Sequence, residues 1–158
     1  MDFASKLKSH PYIIAEIGIN HNGYLSLAKK LMYESKKAGA DAVKFQKRDI
    51  SDLVNINLSP GTANGYLSKN ANDIRKEKTK FGSWVYPDIR LELTEKDYFQ
   101  IKNYAKKLKI DLIITPWDEK SMIFSKKLGV KFIKIASIDA NNYHFCENVA
   151  KQKIPTII

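Results

Sequence analysis

Two lysines sit inside apolar runs of this sequence: Lys44 between Val43 and Phe45, and Lys134 between Ile133 and Ile135. An ammonium group in such a place is costly unless something pairs with it. Other polar residues gather where apolar runs end. Glu16 is followed by Asn20 and His21, Lys44 by Gln46, Ile114 by Thr115, and Lys134 by Ser137 and Asp139. Two interior ammonium groups with a threonine and a serine hydroxyl have the chemistry of a phosphate cradle. A phosphate takes charged donors and hydroxyls that converge from several elements. The alternative is that each lysine runs its stem along apolar surface to water, or pairs with Glu16 or Asp139. Alternation alone leaves both readings open. His21 by itself is a weak signal, since a loop histidine is more often structural or exposed than a ligand. Asp139 could simply cap a helix that follows it. Trp84 and Trp117 read equally as core or rim residues and as sugar platforms.

These side chains can act together only if the elements bring them to one end of a sheet. Tyr12–Ile17 is short, apolar and β-branched, the composition of a buried strand. The turn-rich stretch Gly18–Tyr24 follows. Ser26 is placed to cap a helix running to about Ala38, with Gly39 ending it. Ala42–Gln46 is a second strand, so strand, helix and strand fit in about 35 residues, the length of a βαβ unit. Lys47–Leu93 is rich in Asn, Ser, Gly and Lys and has poor periodicity, which marks a long loop inserted after the second strand. Thr94-Glu95-Lys96-Asp97 resembles a capping box that opens a helix to about Leu108. Ile110–Ile114 is a third strand. Asp118 caps a helix to Leu128, and Phe132–Ala136 is a fourth strand. Asn142–Lys151 is a further helix, and Pro155–Ile158 begins a fifth strand. Short, wholly apolar strands separated by helices imply an α/β fold with a parallel sheet covered by helices. In such folds ligands lie at the carboxyl ends of the strands.

Composition excludes several classes. The chain has 158 residues, 44% of them hydrophobic and 28% charged, as in ordinary globular domains. No apolar run approaches the ~18 residues of a membrane helix, and Met1 to His10 lacks a signal core. Cys146 is the single cysteine, so no internal disulfide forms and a reducing cytoplasm is expected. The net charge of +10 comes largely from lysine pairs such as Lys29-Lys30 and Lys106-Lys107, spread along helices with acids between them. That is the pattern of a solvated surface rather than a nucleic-acid footprint.

Four segments, in order and at matching spacing, resemble one family. The run Ile14-Ala15-Glu16-Ile17-Gly18-Ile19-Asn20-His21-Asn22-Gly23 is similar to the opening motif of N-acetylneuraminate (sialic acid) synthases. Ala38-Gly39-Ala40-Asp41-Ala42-Val43-Lys44-Phe45-Gln46 resembles their second-strand motif. Ile114-Thr115-Pro116-Trp117 and Lys134-Ile135-Ala136-Ser137, the latter followed by Asn141-Asn142, resemble the third and fourth. The likeness covers nearly the whole chain.

The resemblance implies a (β/α)8 TIM barrel followed by a small antifreeze-like domain. A full barrel typically takes about 250 residues, so residues 1–158 are expected to be the N-terminal half of a synthase domain: about four βα units plus the start of a fifth strand. The implied reaction condenses phosphoenolpyruvate with N-acetylmannosamine or a related amino-sugar, giving a nonulosonic acid and phosphate. The implied phosphate site is Lys44, Thr115, Lys134 and Ser137, with Gln46, Asn20 and His21 as further substrate contacts. Glu16 falls on an active-site acid of the family. Asp139 sits where some members have a Glu that touches the sugar or the intermediate. Phe81–Leu91, with Trp84, Tyr86 and Arg90, resembles the variable loop over the sugar. A divalent manganese or magnesium ion is implied for the full-length enzyme, with ligands on later strands and none in this chain. A homodimer is implied at full length, and residues 1–158 alone are expected to be inactive. The rival readings are a barrel aldolase with Lys44 or Lys134 as Schiff-base nucleophile, a paralogue that binds phosphoenolpyruvate without turnover, and a non-catalytic binding module that uses the basic surface.

Overall fold

The computed structural model of the protein describes residues 11–49 and 91–158. In chain order these form β1 (Ile14–Gly18), α1 (Leu25–Lys37), β2 (Ala42–Lys47), α2 (Glu95–Leu108), β3 (Asp111–Pro116), α3 (Glu119–Leu128), β4 (Phe132–Lys134), a 3₁₀ turn (Ser137–Asp139), α4 (Tyr143–Lys151) and β5 (Thr156–Ile157). The five strands make one sheet in the order β1-β2-β3-β4-β5. Every neighbouring pair is parallel. Strands in sequential order with a helix after each are the repeating unit of a (β/α)8 barrel, present here as a partial barrel. The stretch expected to be a loop, 47–93, lies mostly outside the described residues, as do Trp84, Tyr86 and Arg90.

Alternation along each strand divides the core into two sides. Val43, Phe45, Leu112 and Ile114 face α1 and α2, packing on Ala28, Met32, Tyr98, Ile101 and Ala105. Ile133 and Ile135 face α3 and α4, packing on Met122, Phe145 and Val149. The intervening residues Ala42, Ile113 and Phe132 form a separate cluster with Tyr12, Ile14 and Ile157 on the side away from the helices. In a barrel that side is the interior, filled by layers of side chains from successive strands. Two residues further along the strands from Ile14, Ala42, Ile113 and Phe132 come Glu16, Lys44, Thr115 and Lys134. The next interior layer is therefore polar.

Helix ends largely follow the local sequence. Thr94 accepts from the Asp97 N–H at 3.2 Å, and Asp97 accepts from the Thr94 N–H at 3.0 Å, a reciprocal capping box. Thr94→Ala should lower stability by about 1 kcal/mol, read as a fall in the midpoint of urea unfolding with no change in slope. Asp118 caps α3 through the Ser121 N–H at 2.7 Å. Asn142 caps α4 through the Phe145 N–H at 3.2 Å. The first helix differs from expectation: it begins at Leu25, with Tyr24 as N-cap and no side-chain cap, so Ser26 lies inside it. The fourth strand ends at Lys134 rather than Ala136, because the chain turns into the 3₁₀ segment. The third strand runs on to Pro116 and so includes Thr115.

The amino end of the sheet is pinned by polar contacts. The Tyr12 hydroxyl donates to Asp111 Oδ2 at 2.5 Å, and Lys131 Nζ lies 2.7 Å from the same oxygen. Burial and the Asp111 carboxylate push the Tyr12 phenol well above its ordinary range. This end carries structure, leaving the carboxyl end for chemistry.

Candidate active site

At the carboxyl end, β1 and β2 pair with Glu16 opposite Lys44, and β2 and β3 pair with Gln46 opposite Thr115. The Lys44 ammonium lies 2.7 Å from Glu16 Oε1 and donates to Thr115 Oγ1 at 2.8 Å. Lys44 is 4% exposed and Thr115 is 1% exposed. Lys44 therefore does not run its stem to water; it pairs with Glu16, and the Thr115 hydroxyl expected beside it in a cradle joins the pair. Burial pushes the Lys44 ammonium below its ordinary range; the bond and charge of Glu16 oppose this, and the positive charge of Lys134 adds to it. Lys134 follows Phe132 by two residues, so it shares the interior side with Lys44. Lys134 is half-buried.

Gly18 follows in the β1–β2 register after a bulge. Its φ is +56°, and a Cβ there would lie 3.6 Å from Glu16 Oε1 and 4.0 Å from the Gln46 side-chain carbonyl carbon. Glycine takes this left-handed conformation without strain. Glu16 and Gln46 thus flank one glycine at the mouth of the site.

Past β4, Ser137 is exposed on the 3₁₀ turn, and Asp139 is half-buried at the end of that turn. Asp139 Oδ2 is shielded from water and has no hydrogen-bond partner among the described residues. Loss of solvent pushes its carboxyl above the ordinary aspartate range. Asp139 does not cap α4, which Asn142 does.

His21 and Asn20 lie on the turn that follows β1. The His21 ring is buried against Phe45, with centroids 5.7 Å apart, and Phe45 belongs to the helix-facing side. His21 Nδ1 accepts from the Gly23 N–H at 3.1 Å, which shapes the turn after β1. Asn20 is exposed, and its N–H closes a turn onto the Ile17 carbonyl at 3.0 Å.

A second set of contacts had no sequence signal. The Arg48 side chain donates from Nε to Glu92 Oε1 at 2.6 Å, and its backbone N–H reaches Glu92 Oε2 at 3.4 Å. Asp118 Oδ2 accepts from the Asp49 N–H at 2.7 Å. The Tyr98 hydroxyl donates to the Gln46 carbonyl at 2.5 Å, and the Trp117 N–H donates to the Lys47 carbonyl at 3.0 Å. Four successive residues, Gln46 to Asp49, are therefore held by partners from outside β2. This fixes the strand end that carries Lys44 and Gln46. These partners lie dozens of positions away in sequence, where no periodicity points to them.

Among the described residues no three His, Cys, Asp or Glu side chains converge on a point that would hold a metal ion. The manganese or magnesium ion implied by the resemblance thus has no fitting ligand set among them. What the described residues do offer is a buried cation and a hydroxyl for an anion, with the Glu16 carboxylate beside them. No helix among the described residues is long and apolar enough to cross a membrane.

Comparison with known proteins agrees with this geometry. The family model described as "NeuB family" matches residues 31–158. An N,N'-diacetyllegionaminic acid synthase of Legionella pneumophila is 39% identical over 93% of the chain and 38% of that protein. An N-acetylneuraminate-9-phosphate synthase of Drosophila melanogaster is 36% identical over 98% of the chain and 39% of that protein. The chain thus spans about two-fifths of the length of these relatives. Among solved structures, an N-acetylneuraminic acid (sialic acid) synthetase from Leptospira borgpetersenii, in complex with citrate, superposes with a TM-score of 0.68 at 26% identity, covering 92% of this chain and 42% of that one. The strand order, the polar interior layer and these likenesses converge: the chain belongs to the NeuB family, the N-acetylneuraminate synthases.

Proposed function

We propose that the protein carrying this chain is a sialic-acid-type synthase that condenses phosphoenolpyruvate with N-acetylmannosamine or a related amino-sugar. The observation that carries this reading is the buried Lys44 ammonium, joined to Glu16 and Thr115 in the interior layer that Lys134 shares. Lys44, Thr115, Lys134 and Ser137 would hold the phosphate, since charged and hydroxyl donors from three strand ends suit its oxygens. Gln46, beside Gly18 at the mouth, would face the sugar.

With the phosphate held, the enol carbon points toward the open-chain aldehyde and attacks it. A carbon–carbon bond forms, the aldehyde oxygen takes up a proton, and positive charge develops at the carbon bearing the phosphate. Water adds to that carbon and gives up a proton. The bond from that carbon to the phosphate oxygen then breaks, releasing inorganic phosphate and leaving the keto acid. Glu16 and Asp139 would move these protons and face the developing positive charge. Holding both reactants in one site supplies much of the acceleration.

The reading is tested by incubating the intact protein with the amino-sugar, a divalent cation and phosphoenolpyruvate labelled with ¹⁸O in its bridging oxygen. Attack of water at carbon sends the label into inorganic phosphate. Label retained in the sugar acid, or no phosphate released, contradicts the mechanism. Borohydride with pyruvate should leave the protein unmodified. A covalent adduct on Lys44 or Lys134 would favour the Schiff-base aldolase instead.

A further inference from the structure

The pair at the heart of the site is uneven. Lys44 is fixed and buried, with 5% of its side chain exposed, whereas the Glu16 side chain is 61% exposed. A lysine has three N–H donors; Glu16 and Thr115 take two of them. The cation is thus anchored, while its carboxylate partner has an open path to water. A phosphate seated on Lys44 would bring its negative charge against the Glu16 carboxylate. Like charges sharing one small site repel strongly where water is scarce. Gly18, with no side chain between Glu16 and Gln46, leaves room at the mouth for Glu16 to move.

We propose that Glu16 is the resident counter-ion of Lys44 in the empty site, and that a phosphate-bearing substrate displaces it. This rests on the reading of Lys44 as a phosphate anchor and adds an order of events to it. Before substrate arrives, Glu16 neutralises a buried cation that would otherwise stand alone, which is costly. When the phosphate takes its place on Lys44, the carboxylate is freed toward the mouth of the site, where the reacting carbons meet. Glu16 thereby becomes available to move protons only once the phosphate is seated. It also competes with simple anions, so that a ligand must engage further partners, such as Lys134 and Ser137, to win the exchange.

The test is binding of inorganic phosphate to the intact protein by titration calorimetry, in the parent, Glu16→Gln, Lys44→Met and the double variant. Removing the competing charge should tighten phosphate in Glu16→Gln by about tenfold or more. Lys44→Met should lose most of the binding, and adding Glu16→Gln to it should restore none. Equal or weaker binding in Glu16→Gln, with binding still lost in Lys44→Met, overturns the displacement and leaves the phosphate site standing. Unchanged binding in Lys44→Met overturns both. Should Glu16→Gln fold poorly, Glu16→Asp keeps the charge on a shorter stem that cannot hold the 2.7 Å contact. It should then bind phosphate more tightly than the parent, and weaker binding there overturns the proposal.

Discussion

Asp139→Asn is expected to lower kcat by roughly a hundred- to ten-thousandfold, the range for loss of a group that transfers protons in the transition state. The KM for phosphoenolpyruvate should change little, because the phosphate is assigned to other residues. The expectation comes from the state of this carboxyl: one oxygen is shielded and has no hydrogen-bond partner among the described residues, and desolvation holds its proton more tightly than in the unfolded chain. Such a group carries a linked stability signature. A raised folded value means the contribution to stability is complete below the ordinary aspartate range and is lost as pH rises through the raised value. Asparagine stays neutral throughout. The Tm of Asp139→Asn minus that of the parent should therefore grow as pH rises across that window. A gap independent of pH would show that the carboxyl is solvated and undo the basis of the prediction. Steady-state kinetics of the intact protein measures the rest; a loss confined to KM would make Asp139 a binding residue.

The second large effect concerns Lys44. Lys44→Met should weaken phosphoenolpyruvate by roughly ten- to a hundredfold, since a charged hydrogen bond contributes about 1.5–3 kcal/mol and each 1.4 kcal/mol is a factor of ten. Amino-sugar affinity should stay within a few-fold. Methionine matches the unbranched stem and keeps the interior layer filled. It leaves Glu16 without its cation, but that carboxylate is largely exposed and can turn to water. Separate titrations with each substrate check this. Equal losses for both substrates would argue that Lys44 supports the strand ends rather than binding phosphate.

The parts of the site on strands were legible in the sequence, because parity does the work there. Lys44 shares a side with Ala42, and Lys134 with Phe132; apolar neighbours on the other side force both lysines inward. Loop and turn residues obey no parity. His21 lies in the opening motif, yet its ring is drawn onto Phe45 on the helix side by burial of an aromatic surface. Asp139 reads in sequence as an ordinary helix cap, and only its place on the 3₁₀ turn shows the shielded carboxyl. Ser26 had the composition of a cap, but the turn bonds between Ile17 and Tyr24 start the helix earlier. The Arg48–Glu92 pair spans 44 positions, and long-range ionic pairing leaves no periodic trace. The fold was more legible than the site for the same reason: the parallel βα pattern is written in local apolar runs, whereas the clamp on Gln46 to Asp49 depends on residues that meet only after folding.

The position of bound phosphoenolpyruvate tests the role of Lys44 most directly. A crystal structure of the intact protein soaked with phosphoenolpyruvate should show the phosphate within hydrogen-bond distance of Lys44 Nζ and Thr115 Oγ1, with Lys134 alongside and Glu16 turned away from Lys44. Phosphoenolpyruvate bound elsewhere, with Lys44 still joined to Glu16, would contradict it.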